Sequence, residues 1–517
     1  MSHPFVVLVV LGIALRAVVW LTYGSDLFAG GVLSELAQAD CKALLGDPVR
    51  LFQWEHTRLP TFAARKLLHC SLAPLLPSRH TDLLLISFAD AVASALFYLI
   101  LMRLSVSQRL GFAVALFWSV ALIAWEYYRG SGTHNHINIA VLTMFLLAAL
   151  LRFQRPGMGA DFTFAGAAVI FCLTYGPALL IAPIVALGSS RFTRGTGHAA
   201  ASLCVALGLP MAAVVAPAYK NHVEFGVLSP STYLSLNMSQ FAYIGMGYNN
   251  PEAKLNALLP ELNPSPWWTW CYDRARHLHA NARPIDALRG QCLDFDDPDS
   301  LALGAREARR LMDQAFTKSL VRDMAVAANE SWLLRVGSPA LMTSATEVVF
   351  ARTTKKLWRV MFAHDPMGML NAFLLANRSF FVWGPLMFDG VHHEPQHARA
   401  PGAINKIATV VAALPLLGVI GGAVLLLVTT IRLATRLLRG MAAAGAAVRP
   451  ESFILCVFLI AFFAAATTMN LVSCCENGRQ FQSMSPIPMV MGAYLLNLAI
   501  GWLMARRRDV GDRSADG

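Results

Sequence analysis

PFVVLVVLGIALRAVVWLTY, residues 4–23, decides the architecture of this chain, because it is an unbroken apolar stretch with one charged residue, Arg16. A helix needs about 20 apolar residues to cross the roughly 30 Å hydrocarbon core of a bilayer. The stretch is long for a signal peptide, and no small-residue cleavage site closes it. We therefore predict a membrane anchor that is not removed.

Similar stretches recur along the chain, so the sequence predicts an all-α, multi-pass transmembrane helix bundle. Hydrophobic residues make up 56% and charged residues 14% of the 517 residues, a composition too apolar for an ordinary soluble domain. The mean hydropathy is +0.51. About ten spans are predicted by length and composition. They lie near residues 4–23, 83–103, 109–127, 137–152, 163–175, 177–189, 198–217, 405–431, 452–472 and 484–504.

The fifth and sixth spans are short, and they form either a hairpin or one long helix kinked at Gly176-Pro177. The arginines decide between these alternatives, because cytoplasmic loops are enriched in Lys and Arg. Four groups of basic residues fall on one side of the membrane only if residues 163–189 form a hairpin. These groups lie at 152–155, 191–194, 432–449 and 506–508. We therefore predict a hairpin and cytoplasmic chain ends. This topology accounts for most of the net charge of +11, so membrane lipids are expected partners and nucleic acid is not.

The predicted topology divides the chain into four parts. Residues 1–217 form an N-terminal transmembrane bundle with a first outer loop at 24–82. Residues 218–404 form a small, mainly helical outer domain, residues 405–505 supply the last spans, and residues 506–517 form a cytoplasmic tail. The Ala- and Arg-rich composition favours a bacterial inner membrane over a eukaryotic one, and the origin stays open.

Cysteines in the outer loops predict two disulfides, because the outer compartment is oxidising. Cys41 pairs with Cys70 in the first loop, and Cys271 pairs with Cys292 in the second. A different metal-ligating pattern, HHEPQH at residues 392–397, could bind a metal ion but is more typical of a solvated loop.

Three polar clusters lie on the outer side in this topology. The first is in the loop 24–82, around WEHTRLP at 54–60. The second is WEYYRGSGTHNHIN at 125–138, and the third is CCENGRQFQSMSPIP at 474–488. The candidate site residues in these clusters are Asp40, Glu55, His56, Arg58, Arg129, Glu476 and Arg479. A carboxylate among cations suits a base that deprotonates a hydroxyl while the cations hold a phosphate. The alternative is a set of unrelated solvated loop charges.

The layout of the chain resembles the GT-C membrane glycosyltransferases, such as the dolichyl-phosphate-mannose–protein mannosyltransferases. The likeness rests on the hydropathy layout, on an acidic residue followed by HTRLP in the first outer loop, and on ENGRQF before a last span that contains Pro. It covers most of residues 1–220 and 405–505. It implies an inverting cell-envelope enzyme that moves a sugar from a polyprenyl-phosphate donor to a glycan, lipid or protein acceptor on the outer face.

The resemblance also implies roles for individual residues. A first-loop carboxylate is the base in such enzymes, which makes Asp40 the candidate base, with Glu55 in reserve. Arg479, with Arg58 or Arg129, would hold the lipid phosphate. The Asp-Asp or Asp-Glu pair of the family is absent, because Asp40 is followed by a cysteine. A divalent cation therefore stays open as a cofactor.

The alternative function is a transporter or flippase for a lipid-linked or anionic substrate. Such proteins place ionisable residues near the bilayer midplane and use broken helices. Asp90 in the second span and the break at Gly176-Pro177 are the features that favour it. A purely structural membrane subunit is the third interpretation.

Overall fold

The computed structural model of the chain describes residues 2–23, 70–72, 75, 78–129, 133–190, 196–225, 230, 358–359, 362–378, 380–381, 402–438, 450–472 and 477–515. Over these residues the regular structure is helical throughout, with no strand. The helices are α1 (Ser2–Tyr23), α2 (Ser78–Arg103), α3 (Gln108–Arg129), α4 (Thr133–Gln154), α5 (Met158–Thr174), α6 (Ala178–Ser190), α7 (Thr196–Phe225), α8 (Pro366–Arg378), α9 (Gly402–Leu438), α10 (Pro450–Val472), α11 (Asn477–Met484) and α12 (Pro486–Ala515).

The helices agree with the predicted membrane architecture. Each predicted span coincides with a helix, and seven of the helices are long and apolar enough to cross a membrane. These seven are α1, α2, α4, α7, α9, α10 and α12, whereas α3, α5 and α6 are counted as shorter apolar helices. Over the described residues, the all-helical architecture with several apolar helices of membrane-spanning length is confirmed. The number of ten crossings stays a prediction.

Contacts along α2 and α4 define two ends of the bundle. Asp90 contacts His136 and, further along both helices, Arg103 donates to Gln154, so α2 and α4 run parallel. We call the end where they finish the basic end, because Arg109 and Arg155 are exposed beside it. The end where α2 and α4 begin is called the polar end.

α5 and α6 form a hairpin, as the distribution of arginines predicts. Arg152 near the end of α4 donates both to Asp161 in α5, at 2.7 Å, and to the carbonyl of Ala186 in α6, at 2.9 Å. One continuous helix would separate Asp161 from Ala186 by about 35 Å, at about 1.5 Å per residue. The chain leaves α5 at Tyr175, whose backbone is extended, just before Pro177, which has no N–H to continue the helix.

Apolar packing sets the core and the lipid-facing surface. Buried aromatic side chains such as Trp118, Phe145 and Phe171 fill the space between α2, α3, α4 and α5. α9 and α12 approach so closely that a Cβ added at Gly418 would overlap the backbone of Pro488, which is the packing of membrane helices at small residues. Exposed apolar side chains line α1, α9 and α12, as expected of helices that face lipid.

Some boundaries differ from the sequence prediction. α7 continues to Phe225, beyond 217, and α12 continues to Ala515, into the segment predicted as a tail. The residues 218–404 are described only in part, including α8, so the predicted outer domain stays a prediction, and Cys271 and Cys292 lie outside the described residues.

Cys70 is disulfide-bonded, as predicted. The other described cysteines, Cys172, Cys204 and Cys456, are free, so the partner of Cys70 lies outside the described residues. Its pairing with Cys41 stays a prediction.

Candidate functional site

Most of the predicted site residues lie outside the part of the chain that the structure describes. These are Asp40, Glu55, His56, Arg58 and Glu476. Arg129 is the last residue of α3, and Arg479 lies in α11. For these two arginines the structure gives the position of the backbone.

The segments that carry the second and third polar clusters meet at the polar end. α11, which contains Arg479, packs against the beginning of α4. The hydroxyl of Ser483 in α11 donates to Oδ1 of Asn135 in α4 at 3.3 Å. A second side-chain hydrogen bond joins Ser483 to Tyr175, in the turn between α5 and α6. Ser483 therefore holds three separate segments together, one helical turn from Arg479.

A buried charged cluster includes His136, the residue that follows Asn135 in α4. Asp90 of α2 accepts from Nη2 of Arg16 at 2.8 Å, and both of its carboxylate oxygens lie 2.9 Å from Nδ1 of His136. Arg16 also donates to the hydroxyl of Ser119 in α3 at 3.3 Å and to the carbonyl of Gly12 at 3.0 Å. The three ionisable side chains are at most 1% exposed. We call Arg16, Asp90 and His136 the Asp90 triad.

The hydrogen bonds of the Asp90 triad show which ring nitrogen of His136 carries a proton. A carboxylate can only accept, so Nδ1 of His136 carries the proton that it shares with Asp90. With a neutral ring, Arg16 and Asp90 cancel each other, which avoids the cost of an unpaired charge inside the bundle. A histidine oriented in this way by a carboxylate can accept and return a proton.

The sequence contains a signal for part of this triad. Arg16 and Asp90 are opposite charges inside two predicted spans, and intramembrane charges usually pair with each other. Sequence reasoning treated Arg16 as a feature of the first span and Asp90 as a transporter feature, and it placed His136 in an outer loop cluster. It did not connect the three residues.

Unpaired polar atoms are concentrated in the two segments that meet where α11 packs against the beginning of α4. Nδ2 of Asn135, Oδ1 of Asn138, both amide atoms of Gln482, and Oγ of Ser485 are buried and have no hydrogen-bond partner. Buried polar groups are nearly always paired, because an unpaired one costs about 1–3 kcal/mol. We call Asn135, Asn138, Gln482 and Ser485 the amide cluster.

A second buried charged group lies at the basic end. Arg152 of α4 donates through Nε to Asp161, through Nη1 to the carbonyl of Ala186 and to Ser189, and through Nη2 to Ser202 at 2.8 Å. The hydroxyl of Ser202 in turn donates to Oδ1 of Asp161 at 2.7 Å. Each nitrogen of this guanidinium therefore has a partner. We call this group the Arg152 network.

The comparison with known proteins adds no family to these observations. The chain matches no protein-family model, no curated protein and no solved structure. Among the described residues, no group of three or more His, Cys, Asp or Glu side chains could hold a metal ion.

Proposed function

We propose that the chain is an integral-membrane, inverting glycosyltransferase that uses a polyprenyl-phosphate sugar. The observation that carries this proposal is the junction of α11 with α4 at the end of the bundle where α2 also begins. The first outer loop ends where α2 begins, and Arg479 lies in α11 at that same end of the bundle, which supports pairing the predicted base of that loop with Arg479. An enzyme that joins a lipid-borne donor to an aqueous acceptor needs such a site at the mouth of a bundle.

In the proposed reaction, Asp40 takes the proton from the acceptor hydroxyl, with Glu55 as the reserve base. The acceptor oxygen forms a bond to the anomeric carbon while the bond from that carbon to the phosphate oxygen breaks, which inverts the anomeric centre. The leaving polyprenyl phosphate gains negative charge. Arg479, with Arg58 or Arg129, stabilises that charge.

The test is the profile of lipid-linked sugars in cells whose only copy of the chain is a variant. If Asp40 is the base, Asp40→Asn lowers transfer by about 10²–10⁴-fold, and the donor lipid accumulates as it does in cells without the chain. Glu451→Gln, which alters a carboxylate in the first turn of α10, is the matched control and should leave the profile unchanged. A profile that stays the same when the chain is removed would contradict the proposal.

A carrier for a lipid-linked or anionic substrate is the second candidate, and the Asp90 triad favours it. Ionisable residues buried between transmembrane helices are typical of proton relays and substrate pathways. Translocation of a fluorescent polyprenyl-phosphate sugar across proteoliposomes without any acceptor would support the carrier. If translocation is absent and transfer occurs once an acceptor is added, the enzyme is supported.

A further inference from the structure

We propose that the amide cluster at the junction of α4 and α11 binds the neutral sugar ring of a lipid-linked substrate. The proposal deepens the proposed function, on which it rests for the source of the sugar. It is carried by buried polar atoms whose hydrogen-bonding capacity the described structure leaves unused.

The unused capacity is concentrated in two short segments. Gln482 is 1% exposed, and neither its carbonyl oxygen nor its amide nitrogen has a partner. Ser485 is fully buried with an unpaired hydroxyl, and Asn135 and Asn138 each leave one amide atom unpaired. Because unpaired buried groups are costly, their concentration in two segments that are hydrogen-bonded to each other indicates a site that is completed by another molecule.

The contact between α4 and α11 places both pairs of side chains at one junction. Asn135 and Asn138 are three residues apart on α4, so they project within about 60° of each other at about 100° per residue. Gln482 and Ser485 are also three residues apart, and the amide of Ser485 donates to the carbonyl of Gln482 at 3.0 Å. The hydrogen bond from Ser483 to Asn135 joins the two segments.

The chemistry of the cluster favours a neutral ligand that both donates and accepts. The unpaired donors are amide nitrogens, the unpaired acceptors are amide oxygens, and the hydroxyl of Ser485 can do either. The hydroxyls of a sugar have this same dual character. The unpaired groups themselves carry no charge, and Asp90 in the neighbouring triad is already balanced by Arg16.

The test uses the purified full-length chain in lipid nanodiscs and measures binding by microscale thermophoresis. The probes are octyl glucoside, octyl mannoside, octyl galactoside and octyl N-acetylglucosaminide, with octyl tetraethylene glycol ether as the sugar-free control. The variants are Gln482→Leu and Asn138→Leu. Gln154→Leu is the matched control. It removes a side-chain amide at the basic end, and this amide already has a partner, the carbonyl of Arg103.

We expect at least one glycoside to bind more tightly than the ether. Gln482→Leu and Asn138→Leu should each raise its Kd by about 3–10-fold, the loss of one or two hydrogen bonds. Gln154→Leu should leave the Kd unchanged. The thermal midpoint of the empty protein should not fall in Gln482→Leu, because the unpaired amide costs stability in the absence of ligand.

Three results would overturn the inference. In the first, no glycoside binds better than the ether, which would assign the cluster to internal water. In the second, binding is the same in wild type, Gln482→Leu and Asn138→Leu. In the third, Gln482→Leu lowers the thermal midpoint, which would make the amide part of the scaffold. Glycoside binding without any transfer activity would overturn only the proposed function, and transfer that depends on Asp40 without glycoside binding would overturn only this site.

Discussion

The Arg152 network and the Asp90 triad are two buried charged groups at opposite ends of one bundle; each ion pair leaves one atom unpaired, and the two groups differ in the unpaired amide groups that lie beside the triad. Every nitrogen of Arg152 donates to a partner, and its partners come from α5, α6 and α7. Oδ2 of Asp161 is the atom of this ion pair that lacks a partner. In the triad, Nε of Arg16 is unpaired, and the unpaired amide cluster lies next to it along α4.

The difference indicates two kinds of role. A charge whose hydrogen bonds all go to neighbouring helices fixes those helices and offers little to a ligand. The Arg152 network therefore holds the α5–α6 hairpin against α4 and α7. A polar group with unused capacity costs stability, and such groups are retained where function needs them. On this comparison the polar end is where the protein acts.

The largest effect is expected from Arg152→Ala. Removing the guanidinium leaves Asp161 as an unpaired buried charge, so stability should fall by about 3–5 kcal/mol. The membrane level of a fluorescent fusion and the thermal midpoint of the detergent-solubilised protein measure the loss. Arg155→Ala, an exposed arginine three residues along the chain, is the control and should behave as wild type. Equal midpoints for the two variants would remove the network from the account of folding.

A smaller effect is expected from Asp90→Asn. The amide keeps the size of the side chain and an acceptor for Arg16, but each bond to Arg16 and His136 falls from about 1.5–3 kcal/mol to about 0.5–1.5 kcal/mol, a combined loss of about 2–4 kcal/mol. We expect a lower thermal midpoint together with a changed lipid-linked sugar profile. Asp161→Asn should lower the midpoint and leave the profile of the surviving protein unchanged. Identical profiles for both variants would erase the contrast between the two ends.

The smallest effect is expected from Ser202→Ala. The change removes a hydroxyl that bonds both Arg152 and Asp161 but keeps the ion pair between them, so about 1.5–3 kcal/mol should be lost. Transfer should be unaffected. Thr163→Ala is the control, since that exposed hydroxyl only bonds the carbonyl of Gly159 in its own helix. A loss of transfer in Ser202→Ala at normal membrane level would assign the network a part in function.

Much of the fold could be predicted from the sequence because a membrane span is a local property. About 20 apolar residues in a row identify it, whatever the rest of the chain does. The hairpin of α5 and α6 could also be predicted from the positions of the loop arginines, because keeping them on one side of the membrane requires two crossings between residues 163 and 189. α11 was not predicted, because an eight-residue polar helix has no apolar pattern that separates it from a loop.

The site could be predicted only in part, because its residues meet through packing. Ser483 and Asn135 are 348 residues apart in the chain, and their contact depends on how α11 folds back onto α4. Arg16 and Asp90 could have been paired by their opposite charges inside spans. The unpaired atoms of Gln482 could not be predicted, because the burial of a polar side chain depends on neighbours that no local pattern specifies.

The most direct test of the contrast between the two ends replaces each buried ion pair by apolar residues of similar size. Such replacements are often neutral or stabilising when both partners are changed together. Arg152→Met with Asp161→Leu should therefore accumulate in the membrane at near wild-type levels. Arg16→Met with Asp90→Leu should do so as well, apart from the loss of the hydrogen bond between Asp90 and His136, about 1–3 kcal/mol.

The lipid-linked sugar profile of cells that carry each double variant then separates the two ends. We predict a wild-type profile for Arg152→Met with Asp161→Leu. For Arg16→Met with Asp90→Leu we predict the profile of cells that lack the chain. A wild-type profile in the Arg16 and Asp90 double variant, at normal membrane level, would contradict the assignment of function to the polar end.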